Sequence, residues 1–302
     1  MTRDDMEQGK RRKKKRYYDY TLLFLVLFLV CFGLVMVFSV SYYNAEKYYS
    51  DPTLFLRKQA IFAVAGTALM VFISKIDYRI YMQKLPFLPV KPIFLLYFLC
   101  IGLQLYLVLF GETTGGSQRW IELGSFGKFQ PSEISKICVL LLTSYIVKLS
   151  PRRLNSIKGF IRVMAIMMPL IVLVVWENFS TALVMGVMMV AICFVASRNK
   201  KYYVMIALIL IIAAVLFVML FPYRLERIKI WQDIENHPKG YQILQGLYAI
   251  ASGGLFGKGL GQGVQKLGYI PEAHNDMIFS TICEELGLVG AFAVLFLFIL
   301  LL

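Results

Sequence analysis

The amino-acid sequence predicts an all-α polytopic membrane protein with about eight transmembrane helices and a cytoplasmic N-terminus. Three observations predict it. Of the 302 residues, 59% are hydrophobic and 17% charged, against about 45–50% and about 25% in soluble domains. The apolar residues fall into eight long runs. The Lys and Arg residues gather in alternate connections between those runs, as they do on the cytoplasmic side of membrane proteins.

Residues 1–19 form a basic tail, and the run Lys10-Arg11-Arg12-Lys13-Lys14-Lys15-Arg16 stands directly before the first apolar run. That address explains much of the net charge of +14. It marks a cytoplasmic flank that attracts anionic headgroups, and no nucleic-acid partner is expected. The first apolar run is longer than a signal-peptide core and lacks a small-residue cleavage pattern, so it reads as an uncleaved anchor.

The predicted spans lie at 20–43, 60–73, 92–110, 134–147, 163–176, 182–196, 202–221 and 288–302. Several fall short of the roughly 20 residues a perpendicular helix needs, so their ends borrow semi-polar neighbours. Threaded from an inside N-terminus, the inner loops hold Lys75, Arg79, Lys84 and Lys91, then Lys148, Arg152, Arg153, Lys158 and Arg162, then Arg198, Lys200 and Lys201. The outer loops hold the acids Glu46, Asp51, Glu112, Glu122, Glu133 and Glu177. Two outer loops, 111–133 and 222–285, exceed ordinary connection lengths and carry internal apolar pattern, which predicts folded, partly embedded elements. The chain stops at Leu302 inside an apolar run with no basic flank, which predicts a missing C-terminal segment. Residues 20–302 thus read as one membrane domain.

The five cysteines all lie in or beside apolar runs, without CxxC spacing and away from both histidines. They read as small buried hydrophobes, and no metal site is expected. In the first outer loop Arg119, Lys128 and Lys136 share a short Gly- and Ser-rich stretch. Such cations hold polyphosphates, Arg as a rigid fork and Lys as a point charge; the alternative is that they neutralise Glu122 and Glu133. At the bend Trp176-Glu177-Asn178-Phe179-Ser180-Thr181, the polar residues suit a helix cap. Glu177, a carboxylate at the membrane edge, asks for a polar partner.

The second outer loop carries a glycine-dense run from Ser252 to Gly263 around Lys258. No Ser or Thr follows the lysine, so it is not a phosphate loop of the nucleotide-binding kind. It could bring backbone N–H groups close to an anion, or pack a re-entrant segment. The hexad Pro271-Glu272-Ala273-His274-Asn275-Asp276 follows. Asp276 stands where a polar loop turns into a helix, so its plainest role is an N-cap. Its other role is a general base, worth about 10²–10⁴-fold when well placed.

Four stretches, GGSQRWIELGSFGKFQPSEISK, ENFSTA, GYQILQGLYAIASGGLFGKGLGQG and PEAHNDMIF, occur in an order and spacing that resembles the SEDS family (shape, elongation, division and sporulation). The resemblance runs from the first span to the C-terminus, and the acidic-Asn hexad in place of a Pro-Asp form leans toward the division and sporulation branch. It implies about ten spans, of which the last two would be missing here. It also implies a peptidoglycan glycosyltransferase that polymerises lipid II at the outer face of the bacterial cytoplasmic membrane, beside a class B penicillin-binding protein and other division or elongation proteins. By similarity Asp276 is the essential residue. Arg119, Lys128, Lys136 and Lys258, with Glu177, Glu272 and His274, become candidates for binding substrate. A divalent cation, Mg²⁺ or Mn²⁺, is an assistant that the resemblance admits. Two competing readings are a lipid II flippase or transporter, which would place its charges in a central cavity, and a non-catalytic division scaffold.

Overall fold

The computed structural model describes residues 19–84, 89–111, 113–114, 117–122, 128–220, 222–237, 240–271 and 273–302. The basic run 10–16, Glu112 and Glu272 lie outside the described residues. The chain divides into two compact units, one made of residues up to 73 and from 225 onward, the other of residues 74–224.

The first unit contains α1 (Tyr20–Tyr49) and α2 (Leu54–Ser74) from the start of the chain. From its end come α9 (Tyr241–Gly253) and α10 (Ile278–Leu301). Asp19 caps α1 by accepting from the Leu22 N–H at 3.0 Å, satisfying one of the donors a helix start leaves over. α10 packs on α9 and on α1. Met36 and Val40 of α1, Ala249 of α9, Ile282 and Val294 of α10, and Ile270 and Ala273 of the intervening loop form its core.

α10 is broken at Gly287, whose φ is 68°. A broken helix leaves backbone groups without partners, which inside a membrane must be met by protein. The glycine loop after α9 meets them. Lys258 N and Gly259 N donate to the carbonyls of Glu284 and Glu285, both at 2.9 Å. Leu288 N and Val289 N donate to Gly254 O and Leu255 O at 3.0 and 3.1 Å. This close seam needs glycine on both sides. A Cβ on Gly257 (φ 80°) would lie 2.2 Å from Glu285 O, and one on Gly287 would lie 2.3 Å from Gly257 N. Positive φ adds strain for any L side chain. Gly287→Ala is therefore expected to destabilise the protein by at least the roughly 1–3 kcal/mol of a strained backbone position, read as a lowered thermal midpoint in detergent. An unchanged midpoint would mean that the seam is not tight.

The second unit holds α3 (Pro92–Phe110), α4 (Pro131–Leu149), α5 (Ile157–Glu177), α6 (Phe179–Ala196) and α7 (Lys201–Leu220). The helix α8 (Pro222–Gln232) crosses the unit boundary. α3, α4, α5 and α6 pack on one another, and α7 packs on α6. α4 buries Ser135, Cys138, Val139, Leu142, Thr143 and Tyr145, a spacing that puts one continuous face inward. Around it lie Ile93, Tyr97, Met167, Leu170, Met185 and Met189. Between α3 and α4 the chain forms two short antiparallel ladders, Thr113–Thr114 with Ser117–Gln118 and Ile121–Glu122 with Lys128–Phe129.

Each of the eight predicted spans coincides with a helix. Among the described residues six helices, α1, α2, α3, α5, α6 and α10, are long and apolar enough to cross a membrane. α4 carries Glu133, Lys136 and Lys148 within its 19 residues, while the 20 residues of α7 are apolar but for Lys201 at its start. The segment 222–285, read as an outer loop, holds α8, α9 and the start of α10. Its last residues are helical, since α10 begins at Ile278 and holds both Glu284 and Glu285.

Candidate active site

In the first unit the turn that precedes α10 presents Asp276. The Asp276 side chain is exposed, and among the described residues it makes no hydrogen bond or ion pair. It does not cap α10, because Met277 holds that position and no side-chain cap bond forms. The N-cap role weighed from the sequence is therefore not the one adopted, and the carboxylate stands open on a fixed turn. Ile270 and Ala273, which precede Asp276, are buried. The Gln242 side chain of α9 donates to Pro271 O at 3.1 Å, and the His274 ring packs on Phe55 of α2 with centroids 4.6 Å apart. The His274 ring thus takes part in packing the turn against α2.

Behind this turn lies a buried charge network that sequence reasoning missed. Glu284 and Glu285 are both fully buried. Glu284 accepts from Lys258 Nζ at 2.8 Å and from the backbone N–H groups of Val264 at 2.9 Å and Gln265 at 3.3 Å. Glu285 is ion-paired to Lys266, itself buried, and accepts from Ser39 Oγ at 2.8 Å and Gly261 N at 3.0 Å. Ser39 Oγ accepts in turn from Lys266 Nζ at 2.7 Å, so α1, the glycine loop and α10 meet at one carboxylate. Buried charges persist only when paired and hydrogen-bonded, and every described partner here comes from the loop or from α1. Lys258, a candidate anion ligand by sequence, has its ammonium on Glu284 and Ser252 Oγ instead. The signal was present in the sequence as two adjacent acids inside an apolar run with Lys258 and Lys266 upstream, a pattern that demands partners.

In the second unit Glu177 ends α5 and is buried to 5% exposure. With its amide oriented so that the NH₂ faces that carboxylate, Gln104 donates to Glu177 Oε2 at 2.9 Å, while its oxygen accepts from Ser132 N at 3.2 Å. Asn178 begins α6, its Oδ1 accepting from the N–H groups of Ser180 and Thr181 at 3.1 and 3.4 Å. The bend is a helix cap as predicted, and Glu177 is a buried polar link between α5 and α3. Arg119 Nε donates to Glu177 O at 3.2 Å. One donor thus anchors the exposed Arg119 side chain, and among the described residues it forms no ion pair. Lys128 pairs with Glu122 across the second ladder at 3.0 Å, and Lys136 with Glu133 one turn away at 2.9 Å. The first pair is solvent-exposed and the second partly so, settings in which ion pairs are weak and readily exchanged.

Among the described residues no three His, Cys, Asp or Glu side chains converge as a metal site. Among the described residues Asp276 belongs to no such group, and Glu284 and Glu285 are saturated by lysines and N–H groups. The described residues do not fit a resident metal.

Comparison with known proteins bears on what this arrangement serves. The family model described as "Cell cycle protein", covering the FtsW, RodA and SpoVE proteins, matches residues 20–302. A curated relative from Trichlorobacter lovleyi, "Probable peptidoglycan glycosyltransferase FtsW", is 35% identical over 289 residues, covering 94% of this chain and 74% of the relative. "Stage V sporulation protein E" of Bacillus subtilis is 33% identical over 294 residues, covering 96% and 78%. In a solved structure concerned with how a peptidoglycan synthase complex coordinates polymerization and crosslinking, one chain superposes with a TM-score of 0.69 at 24% identity, covering 95% of this chain and 76% of that one. That superposition establishes the fold. With its matching family model, its long apolar helices and its relatives of 33–35% identity, the chain belongs to the SEDS family of multi-pass proteins of the bacterial cytoplasmic membrane.

Proposed function

We propose that this chain is a peptidoglycan glycosyltransferase that polymerises lipid II at the outer face of the cytoplasmic membrane. The observation that carries the reading is the open Asp276 carboxylate on its anchored turn, in a family whose relatives bear that activity in their names. The 4-hydroxyl of the GlcNAc on one lipid II attacks the anomeric carbon of the lipid-linked glycan, and the bond to the pyrophosphate oxygen breaks. Asp276 takes the hydroxyl proton, and undecaprenyl pyrophosphate leaves with the bonding electrons. Attack opposite the leaving group turns the α-linked donor into a β-1,4 product. Pyrophosphate is a good leaving group, so the second carboxylate that most glycosidases use as acid is not needed.

Charge grows on the leaving pyrophosphate, and preorganised donors stabilise such charge. Arg119 suits this role: its Nε is spent on Glu177 O while the rest of its planar fork is open to a phosphate oxygen. Lys128 and Lys136 can exchange their exposed carboxylate partners for phosphate. A charge-assisted hydrogen bond contributes about 1.5–3 kcal/mol, so Arg119→Gln is expected to lower kcat/KM for lipid II by roughly 10–100-fold. Steady-state release of undecaprenyl pyrophosphate reads it, and an unchanged value would remove Arg119 from the anion contacts.

The alternation of basic and acidic loops supports a cytoplasmic N-terminus, with the 111–133 and glycine-rich regions outside. The partner we propose is a crosslinking enzyme of the class B penicillin-binding type, in keeping with a fold neighbour described as part of a peptidoglycan synthase complex that polymerises and crosslinks. The test is fluorescent lipid II supplied to the full-length protein in proteoliposomes. Polymer on the outer surface without transbilayer movement supports the reading. Transbilayer movement without polymer would install the flippase, and neither would install the scaffold.

A further inference from the structure

The end of the second unit away from Glu177 carries a pocket that the proposed reaction does not use. Pro151, Arg152, Asn155, Ala196 and Arg198 line a cavity of about 400 Å³, within the range of small-ligand sites. Its frame is built from the short 3-10 turn Pro151–Asn155 and the link between α6 and α7. Ser197 Oγ donates to Leu154 O at 3.2 Å and Tyr203 Oη donates to the same carbonyl at 2.9 Å. Arg198 N donates to Asn155 Oδ1 at 2.8 Å. Ser197 and Tyr203 are buried, so the two arginine-bearing segments are held in fixed register.

The arginines themselves are left over. Arg152 and Arg198 are exposed, and among the described residues neither side chain forms a hydrogen bond or ion pair. Between Glu133 and Glu226 the chain has Glu177 alone, at the opposite end of α5, and Asp77, another acid of the second unit, accepts from Arg79 N at 2.9 Å. Two guanidinium groups on a rigid rim, beside an Asn and without counter-charge, match a phosphate group, which Arg binds through paired N–H donors. Basic pockets between membrane helices on the cytoplasmic side take lipid headgroups in this way.

We infer that the Arg152–Arg198 pocket binds the phosphate of an anionic phospholipid headgroup. A lipid seated there would tie the α4–α5 and α6–α7 connections to the membrane surface.

The full-length protein, stripped of lipid and returned to micelles doped with phosphatidylglycerol or cardiolipin, is compared by native mass spectrometry with two variants. Arg152→Ala/Arg198→Ala is expected to lose about tenfold in bound-lipid occupancy, given the attraction of each basic residue to anionic lipid. Lys148→Ala/Lys158→Ala removes the same charge from the same end, off the pocket, and is expected to bind as wild type. Equal retention by wild type and the arginine variant would overturn the inference, and so would equal loss in both variants, which would mark diffuse positive charge. Inorganic phosphate is the second arm. Failure of millimolar phosphate to displace the lipid supports a headgroup site. Displacement, with phosphate alone raising the thermal midpoint only when both arginines are present, would overturn the lipid in favour of a soluble phosphate ligand.

Discussion

Glu285→Ala is expected to be among the most destabilising single substitutions in the chain. Glu285 is fully buried and ion-paired to Lys266, which is 4% exposed. Removing the carboxylate leaves that ammonium with Ser39 Oγ as its only described partner, and leaves the Gly261 N–H without its acceptor. Breaking a buried pair from one side costs about 3–5 kcal/mol, a large part of the 5–15 kcal/mol of total stability typical of a folded domain. The expected result is a sharp fall in thermal midpoint or in folded yield. Replacing both partners, as in Glu285→Leu/Lys266→Met, removes charge and counter-charge together and is expected to recover most of the loss. Should the double variant prove no better than the single one, the network would be more than a mutual pair. A single variant as stable as wild type would contradict the buried geometry.

Asp276→Asn is expected to behave in the opposite way, with stability kept and turnover lost. The side chain is exposed, unbonded among the described residues and absent from the helix cap, so its amide should leave the thermal midpoint within the roughly 0.5 kcal/mol usual for surface changes. An amide cannot take a proton from the attacking hydroxyl. Loss of a positioned general base lowers rate by about 10²–10⁴-fold, and kcat should carry the loss rather than KM, since the proton moves only in the transition state. Asp276→Glu, which keeps the carboxylate but shifts it by a methylene, is expected to fall between the two.

The helices were legible because apolar runs alternate with charged connections along most of the chain, and composition alone fixes where a chain prefers lipid. Their edges were less so. Glu284 and Glu285 read as the end of an outer loop because a carboxylate pair ordinarily ends a membrane helix. Here Lys258, Lys266, Ser39 and three loop N–H groups come from 19 to 246 residues away to neutralise them, and no local pattern encodes such partners. For the same reason Lys258 read as a candidate anion ligand. Asn178 was legible as a cap because capping is local, whereas the Gln104 contact to Glu177 joins helices far apart in sequence. Asp276 could not be divided between cap and base by spacing. That needed the backbone of α10, which starts one residue too late for it to cap.

The measurement that bears most directly on the central claim is polymerisation of labelled lipid II. The full-length protein and Asp276→Asn, matched in folded amount by thermal midpoint, are assayed on a glycan-strand gel beside a class B penicillin-binding partner that lacks glycosyltransferase activity. Long glycan strands from wild type and none above background from the variant are the predicted result. Equal polymer from both would show that Asp276 is not the base, and no polymer from either would contradict the glycosyltransferase itself.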